Sequence, residues 1–435
     1  MWDDQRLLEF LPREEAAAAQ RELLRNHVAY AFAHSPFYRR KLAAFADLIP
    51  NLTEDTLTEL PMTDKSEFAK ENESFLATPL RQVTDTVFSS GTTGNPTAVM
   101  YSRRDVERLA FNERISLRGC GITADDIGLM TCTLDRCFVA GFAYYLGLLT
   151  IGATVARNGI ASVQSHAQVM RRLRPTVLVG VPGFLTKLGL YLRDSGQENL
   201  LESVQKIVCA GDPLRDREMN PLPVTERLEA IWGARAYSTY ASSEIISSFC
   251  ECTAQRGGHL HPELAVVEIV DEQGRRVPAG EVGEVVVTPL QIESMPFVRF
   301  RTGDLSFLID EPCSCGRTSV RLGPILGRKA QLMKVRGTSV YPAAFFQVLD
   351  AHPGISGSYL TVRGDRNLSD EVTVTVSVTD TSLTVVEIAE ALHAVLRIHP
   401  TVIIDTAENV AAKIFDPLSH KPRRFFDERV GERNV

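Results

Sequence analysis

No uninterrupted apolar stretch in these 435 residues reaches the roughly 20 needed to span a bilayer as a helix. The opening residues Met1-Trp2-Asp3-Asp4 are acidic and lack the basic and apolar regions of a secretory signal. Both absences predict a cytoplasmic chain with no membrane partner. Positive charge is not in excess either: 47 Lys and Arg stand against 54 Asp and Glu, a net charge of −7, which gives no electrostatic footprint for nucleic acid. Internal repeats and low-complexity tracts are also missing. Eight cysteines in a long intracellular chain do not make a disulfide framework, although four of them fall into two C-x-C pairs. What is present is an ordinary globular composition, 44% hydrophobic and 23% charged, sufficient for two or three units of roughly 100–200 residues each.

Residues 7–44 place apolar side chains at helical spacing among many Glu and Arg, which predicts an amphipathic entry segment packed on a larger body. Leu60-Pro61-Met62-Thr63-Asp64-Lys65 interrupts it and offers Thr or Asp as a cap for a turn over 66–71. A helix is predicted over 105–118. Short apolar runs at 127–132, 154–156, 177–181 and 207–210 then alternate with helical patterns at 141–149, 163–173 and 183–193. That alternation predicts parallel strands with crossover helices. After Tyr237 the texture becomes β-rich, with 265–270 and 281–289 separated by the turn Asp271-Glu272-Gln273-Gly274, and a smaller twisted sheet or barrel is expected. Past Gly327 it changes again. Residues 332–335 and Val340 lead through Pro342 to a helix predicted at 343–351; strands are predicted at 357–362 and 401–404, a half-buried strand at 371–378 reading E-V-T-V-T-V-S-V, and a helical face of Val385, Ile388, Leu392 and Leu396. The expected fold class is α/β: a large multi-subdomain body over 1–327 with a β-rich portion, and a small mobile α+β domain over 328–435, joined near Gly327-Arg328.

The stretch Ser89-Ser90-Gly91-Thr92-Thr93-Gly94 follows a β-type run at 84–88. Ser and Thr supply hydroxyls, and Gly lets backbone N–H groups approach an anion, so the loop could wrap polyphosphate oxygens. From the hexapeptide alone, a plain flexible loop reads equally well. It is not a Walker-type loop: the G-x-x-x-x-G-K-[ST] spacing is absent and Asn95 stands where a Lys could follow. Four later stretches follow in order. Tyr237-Ser238-Thr239-Tyr240-Ala241-Ser242-Ser243-Glu244 offers an aromatic ring to stack on a base and a carboxylate for a hard cation. Pro296 to Leu305 includes Asp304, whose carboxylate could accept hydrogen bonds from vicinal hydroxyls. Gly327-Arg328 and Lys334-Val335-Arg336-Gly337 lie at the suspected junction, and Ser419-His420-Lys421-Pro422-Arg423-Arg424 comes near the end. Each alone reads as a surface turn or a solvated charge.

In this order the motifs resemble the adenylate-forming superfamily of acyl-CoA synthetases, adenylation domains and luciferases, and within it the phenylacetate-CoA ligase branch. The likeness runs from about residue 60, through Ser89 to Thr97 and Tyr101-Ser102-Arg103-Arg104-Asp105, to Arg429. The resemblance implies two steps: a carboxylate attacks the α-phosphate of ATP to give an acyl-adenylate and pyrophosphate, and a thiol, usually that of CoA, then displaces AMP. By position, Ser89, Ser90, Gly91, Thr92, Thr93 and Gly94 would clasp the β- and γ-phosphates, Tyr240 would pack on adenine, Glu244 would hold Mg²⁺, and Asp304 with Arg328 nearby would bind the ribose. Lys421 would bridge carboxylate and α-phosphate. A point cation there offsets anionic repulsion, about 4 kcal/mol per pair at 4 Å and an effective dielectric of 20; the alternative is an ordinary basic tail among Arg423, Arg424 and Arg429. Such enzymes usually rotate the small domain about a hinge, here Arg328-Lys329-Ala330, so that Lys334, Arg336 and Gly337 line a CoA tunnel in the second step. Two departures stand out. Ala330 replaces a usual Asp, and Asn95 replaces the usual phosphate-loop Lys, which puts the rate in question rather than the reaction class.

Cys250-Glu251-Cys252, His259 and His261, followed by Cys313-Ser314-Cys315, offer thiolate and imidazole ligands in two clusters, suited to tetrahedral zinc but without zinc-finger spacing. Some members of the branch show a similar set, which selects Cys252, His259, Cys313 and Cys315 as a closed structural site; reduced cysteines in turns are the alternative. The acid pocket should draw on 135–144, with Phe138, Gly141 and Phe142, and on Ala210 and Gly211. Its aromatics favour an aryl or other apolar acid, Arg136 being the one basic residue in reach of a second carboxylate. Beside the leading reading of an acyl-CoA ligase stand two others: transfer to a carrier-protein phosphopantetheine or an amine, and a degenerate nucleotide-binding protein, for which Asn95 and Ala330 are the motive. The oligomeric state is open, a homodimer among the options.

Overall fold

The computed structural model describes residues 7–89, 97–335, 338–364, 370–415 and 423–429. By contact density the chain divides into two compact units, one comprising 1–220, 227–302 and 306–324, the other 221–226, 303–305 and 325–435.

The first unit opens with the helices Arg13–His34 and Pro36–Lys41, the second capped by Ser35, whose hydroxyl accepts from the Tyr38 N–H. The turn expected at 66–71 is the helix Lys65–Lys70, closed by a capping box between Asp64 and Glu67. A buried guanidinium anchors this entry segment: Arg299 pairs with Glu268 at 3.0 Å and donates to the carbonyls of Thr58 and Leu60 at 2.8 and 2.5 Å.

Strands Val83–Ser89 and Thr97–Ser102 form an antiparallel hairpin in which Ser89 pairs with Thr97. Ser102 then caps the helix Arg103–Gly119 in a capping box with Asp105. The body is a six-stranded sheet in the spatial order Thr154–Arg157, Ile127–Met130, Val177–Gly180, Lys206–Ala210, Arg235–Ser242 and Ser247–Cys250. The first five are parallel and the sixth is antiparallel. The predicted change of texture after Tyr237 therefore falls inside a strand: 235–242 is the last parallel strand, continued by a hairpin. Because the parallel strands are buried on both faces, their apolar runs are continuous rather than alternating. Leu129, Leu178, Ile207 and Ala236 pack against the helices Val163–Leu173 and Pro182–Asp194 on one face. Met130, Val177, Val179, Val208 and Tyr237 pack with Leu117, Tyr144 and Leu148 of the helices Arg103–Gly119 and Val139–Ile151 on the other. Those two helices approach closely at Gly147, where a Cβ would lie 2.5 Å from that of Glu113.

In the β-rich part, Ala265–Val270 pairs antiparallel with Gly283–Pro289, from Ala265 opposite Pro289 to Val270 opposite Glu284. A small sheet of Leu308–Ile309, Arg321–Leu322 and Gly258–His259 lies alongside in sequence.

In the second unit, the hairpin of Met333–Val335 and Thr338–Val340 precedes the helix Pro342–Ala351. A four-stranded sheet follows in the order Thr401–Ile404, Glu371–Val378, Ile355–Arg363, Phe425–Asp427. Strand 371–378 has the predicted bounds but not the predicted half-burial. Val372, Val374 and Val376 face the core, while Thr375 and Ser377 on the other face are also buried, at 4% and 2% exposure. The helix Ala407–Ile414, unanticipated from the sequence, packs over that face, and the small hydroxyl side chains let it sit close.

Candidate functional site

The carboxyl ends of the parallel strands are where an open α/β sheet presents its loops to ligands, and several candidate residues collect there. Phe138 caps the helix that follows strand Ile127–Met130. Ala210 ends strand Lys206–Ala210, and Gly211 follows with φ +94, a left-handed conformation that glycine adopts without strain. Tyr240 lies near the end of Arg235–Ser242 with its ring stacked on Phe249 at 6.4 Å. Glu244 sits in the tight turn between that strand and Ser247–Cys250. Its carboxylate is buried, and Oε2 accepts the Ser242 hydroxyl. Gly141 is closely packed, since a Cβ there would meet the Thr133 carbonyl at 2.0 Å. Phe142, one residue on, is half-buried.

The hairpin that leads into and out of the Ser/Thr/Gly stretch is stapled to this edge on both sides. The Phe88 N–H donates to the Cys137 carbonyl at 2.9 Å, beside Phe138, and the Tyr101 hydroxyl donates to the Ser243 carbonyl at 2.9 Å, beside Glu244. Burial, reinforced by the negative field of Glu244, raises the Tyr101 phenol well above its ordinary range and keeps it a donor. Ser89 ends the first strand; Ser90, Gly91, Thr92, Thr93 and Gly94 lie outside the described residues.

Arg108, which no sequence signal singled out, clamps the Glu244 turn from below. Fully buried on helix Arg103–Gly119, it donates to the carbonyls of Leu290 at 2.7 Å, Leu264 at 2.5 Å and Ile246, and to Ser247 Oγ at 3.2 Å. Burial lowers it to about 9. Ile246 has φ +47, so the guanidinium holds a turn that is locally strained. Glu113, on the same helix, is a buried carboxyl raised by desolvation to about 7, an effect that a hydrogen bond with Ser248 only partly offsets.

In the second unit Asp304 pairs with Arg328 across neighbouring strands, Nε to Oδ1 at 3.1 Å. Lys334 has an exposed side chain on the hairpin strand Met333–Val335. Arg336, Gly337 and Lys421 lie outside the described residues. The basic residues flanking Lys421 are not a loose tail. Arg424 makes a two-pronged pair with Asp350 at 2.9 and 2.7 Å and bonds Ser358, while Arg429 is buried against Asp370 and Asp427.

Cys252, His259, Cys313 and Cys315 bring their ligand atoms within 4.8 Å of one another. His259 Nε2 faces Cys315 Sγ at 3.4 Å, while its Nδ1 is engaged by Ser319 Oγ at 3.0 Å, the outer contact that fixes a ligating imidazole. Burial and then Arg317 lower His259 to about 3, leaving it neutral. Burial pushes Cys252 up to about 12. Partial burial would raise Cys315 too, but hydrogen bonds from the Arg317 backbone and guanidinium hold it below its ordinary value. Two nearby candidates go elsewhere. Cys250 faces Cys120 at 3.3 Å, and His261 bonds Glu9 and Ser116, both at 2.9 Å. Glu9 in turn pairs with Arg317 at 2.9 Å. Three soft sulfurs and one oriented imidazole fit a closed tetrahedral site.

Residues 46–292 match the family model described as AMP-binding enzyme. The chain belongs to that family. This places it in the adenylate-forming superfamily, with the mixed α/β architecture seen here. Among AMP-binding relatives, it is 32% identical to the phenylacetate-coenzyme A ligase of Thermus thermophilus, over 86% of this chain and 84% of that one. To the phenylacetate-coenzyme A ligase of Escherichia coli it is 27% identical, over 85% and 84%. A solved 2-hydroxyisobutyryl-CoA ligase in complex with 2-HIB-AMP superposes with a TM-score of 0.85 at 22% identity, covering 97% of this chain and 91% of that one. Among the described residues no helix is long and apolar enough to cross a membrane.

Proposed function

We propose that this AMP-binding enzyme is an acid–thiol ligase: it activates a carboxylic acid with ATP and Mg²⁺ as an acyl-adenylate, releasing pyrophosphate, and transfers the acyl group to CoA with release of AMP. The observation that carries this reading is the double staple of the 83–102 hairpin. One bond, Phe88 to Cys137, ties it to the start of the Phe138 helix, and the other, Tyr101 to Ser243, ties it to the Glu244 turn. The two strands that flank the proposed phosphate loop are thereby tied to the residues beside Phe138 and Glu244, which supports a reading in which in-line attack on an α-phosphate is organised there. In this reading Ser89 to Gly94 hold the phosphates, Tyr240 covers adenine, Asp304 and Arg328 take the ribose, and Lys421 supplies the cation at the reacting carboxylate. Glu244, a hard oxygen donor already oriented by Ser242, would hold Mg²⁺, which supplies charge neutralisation on the phosphates. Cys252, His259, Cys313 and Cys315 would hold zinc, which ties the segment after Ser247–Cys250 to the C-x-C turn.

The acid is read as aromatic or otherwise apolar, as the phenylacetate-CoA ligase relatives suggest. A small hydroxy acid is the second reading. The buried groups Glu113, Tyr144 and Thr239 lie together, and Glu113 Oε2 has no partner among the described residues; the solved neighbour carries a hydroxyacyl adenylate. Transfer to a carrier protein or an amine shares the first half-reaction. Acid-dependent pyrophosphate release across phenylacetate, indole-3-acetate, benzoate and 2-hydroxyisobutyrate, with and without CoA, tests all of these. Release with one acid that rises with CoA and falls sharply in Lys421→Ala is expected; ATP binding without release for any acid would leave the degenerate protein instead.

A further inference from the structure

Lys334 lies on one strand of the 333–340 hairpin, paired through the register Met333–Val340, Lys334–Ser339 and Val335–Thr338. Its own N–H and C=O face the free edge, and a single residue takes both. The Lys334 N–H donates to Asp370 Oδ2 at 2.6 Å, and the Asp370 N–H donates to the Lys334 carbonyl at 2.8 Å. Asp370 is fixed in turn by Arg429. The guanidinium Nη1 reaches Asp370 Oδ2 at 3.1 Å and the Leu332 carbonyl at 2.9 Å, while Nε and Nη2 bind the two oxygens of Asp427 at 2.9 and 3.0 Å. Both side chains of the Arg429–Asp370 pair are 3% exposed. Apolar contacts through buried Met333 and Val335 would hold the hairpin against the core but tolerate sliding. A planar, forked guanidinium on two carboxylates fixes position and orientation together.

The strand Phe425–Asp427 that carries this anchor does not depend on it. It pairs in parallel with Leu360, Thr361 and Val362. Arg423 N–H bonds the Ile414 carbonyl at 2.9 Å, and Arg424 holds Asp350 and Ser358. Loss of the Arg429 fork therefore frees the hairpin and leaves the strand in its sheet.

We infer that Asp370 and Arg429 are positioning residues for the thiol-transfer half-reaction, setting the place of the Lys334 hairpin without touching substrate. The inference rests on the acid–thiol ligase reading and on the assignment of that hairpin to the second step. The test uses the full chain with Arg429→Lys and the isosteric Asp370→Asn, and Arg363→Ala as control, since among the described residues the Arg363 side chain makes an exposed pair with Glu428 and none with the hairpin. Adenylation is read by acid-dependent pyrophosphate–ATP exchange, and transfer by single-turnover consumption of the acyl-adenylate at increasing CoA. Both positioning variants are expected to keep exchange within about threefold of wild type and to slow transfer at saturating CoA by about 10- to 100-fold, the cost of a misplacement of about 1 Å. Hydrogen exchange should quicken over 332–335 and stay slow over 425–427. Equal losses in both half-reactions, or full transfer in both variants, would overturn the inference. If Arg429→Lys fails to fold, Asp370→Asn, which keeps the shape, decides alone. Absence of acid-dependent exchange in the wild type for every acid tried would instead sink the ligase reading, and the inference with it.

Discussion

Glu244 has little freedom: it lies at the tip of a four-residue turn, with one carboxylate oxygen on the Ser242 hydroxyl and the turn carbonyls of Ser243 and Ile246 held by Tyr101 and Arg108. Glu244→Gln keeps the shape and removes the charge. Pyrophosphate release should fall by roughly 100-fold, and the Mg²⁺ concentration for half-maximal rate should rise, as a titration of rate against Mg²⁺ would show. Glu113 makes a different prediction. Burial raises its folded-state pKa to about 7, above the unfolded carboxyl near 4.3. Between those values the folded chain keeps a proton that the unfolded chain has lost, so this group's contribution is full below about pH 4.3 and is lost as pH rises through 7. In Glu113→Gln that loss is absent. Melting temperatures of variant and wild type should converge near pH 5 and separate in the variant's favour by pH 8; a constant offset across that range would contradict the assignment. Neither Arg108 nor Arg429 was legible beforehand. A charged residue reads as solvated until the carbonyls and carboxylates that surround it, distant in sequence, are brought to it.

At the scale of elements, the helices Arg103–Gly119 and Val139–Ile151 meet where Gly147 lets Glu113 approach, and the same helix pair covers one face of the parallel sheet. Gly147→Ala would gain up to about 1 kcal/mol of helix propensity. A Cβ placed 2.5 Å from another, with backbone carbon at 3.0 Å, forces the helices apart, at a cost of about 1–3 kcal/mol. The contact should win: urea unfolding should show a net loss of about 1–2 kcal/mol, and a gain in stability would show that the interface relaxes freely. The parallel strands were legible because their apolar runs are bounded and separated by helical periodicity. The hairpin at Glu244 was not, since 235–250 carries no Gly or Pro to mark its turn. Helix Ala407–Ile414 was missed for a related reason: it is short, and its role, covering the Thr375 and Ser377 face, exists only once the sheet is formed.

Over the whole molecule, the Cys/His group joins segments about 60 residues apart in sequence, and the Glu9–Arg317 and Glu9–His261 pairs extend that linkage to the N-terminal turn. Metal analysis of the purified chain should find zinc, and a strong chelator should lower the melting temperature by several degrees, as loss of a folding-coupled metal does. Cys313→Ser should reproduce the shift and abolish the chelator's effect; a metal-free chain with unchanged melting would refute the site. The sequence by itself determined the family, the α/β class and the order of the motifs, because these reside in local pattern and in short stretches whose chemistry travels with them. It also picked Cys252 and His259 over Cys250 and His261, through likeness rather than geometry. Only the tertiary structure decided which of the neighbouring groups converge, that Gly141 packs closely on the Thr133 carbonyl, and that the basic residues around Lys421 are anchors. These depend on contacts between residues far apart in sequence, and the burial that turns a charge into a clamp is a property of the folded neighbourhood.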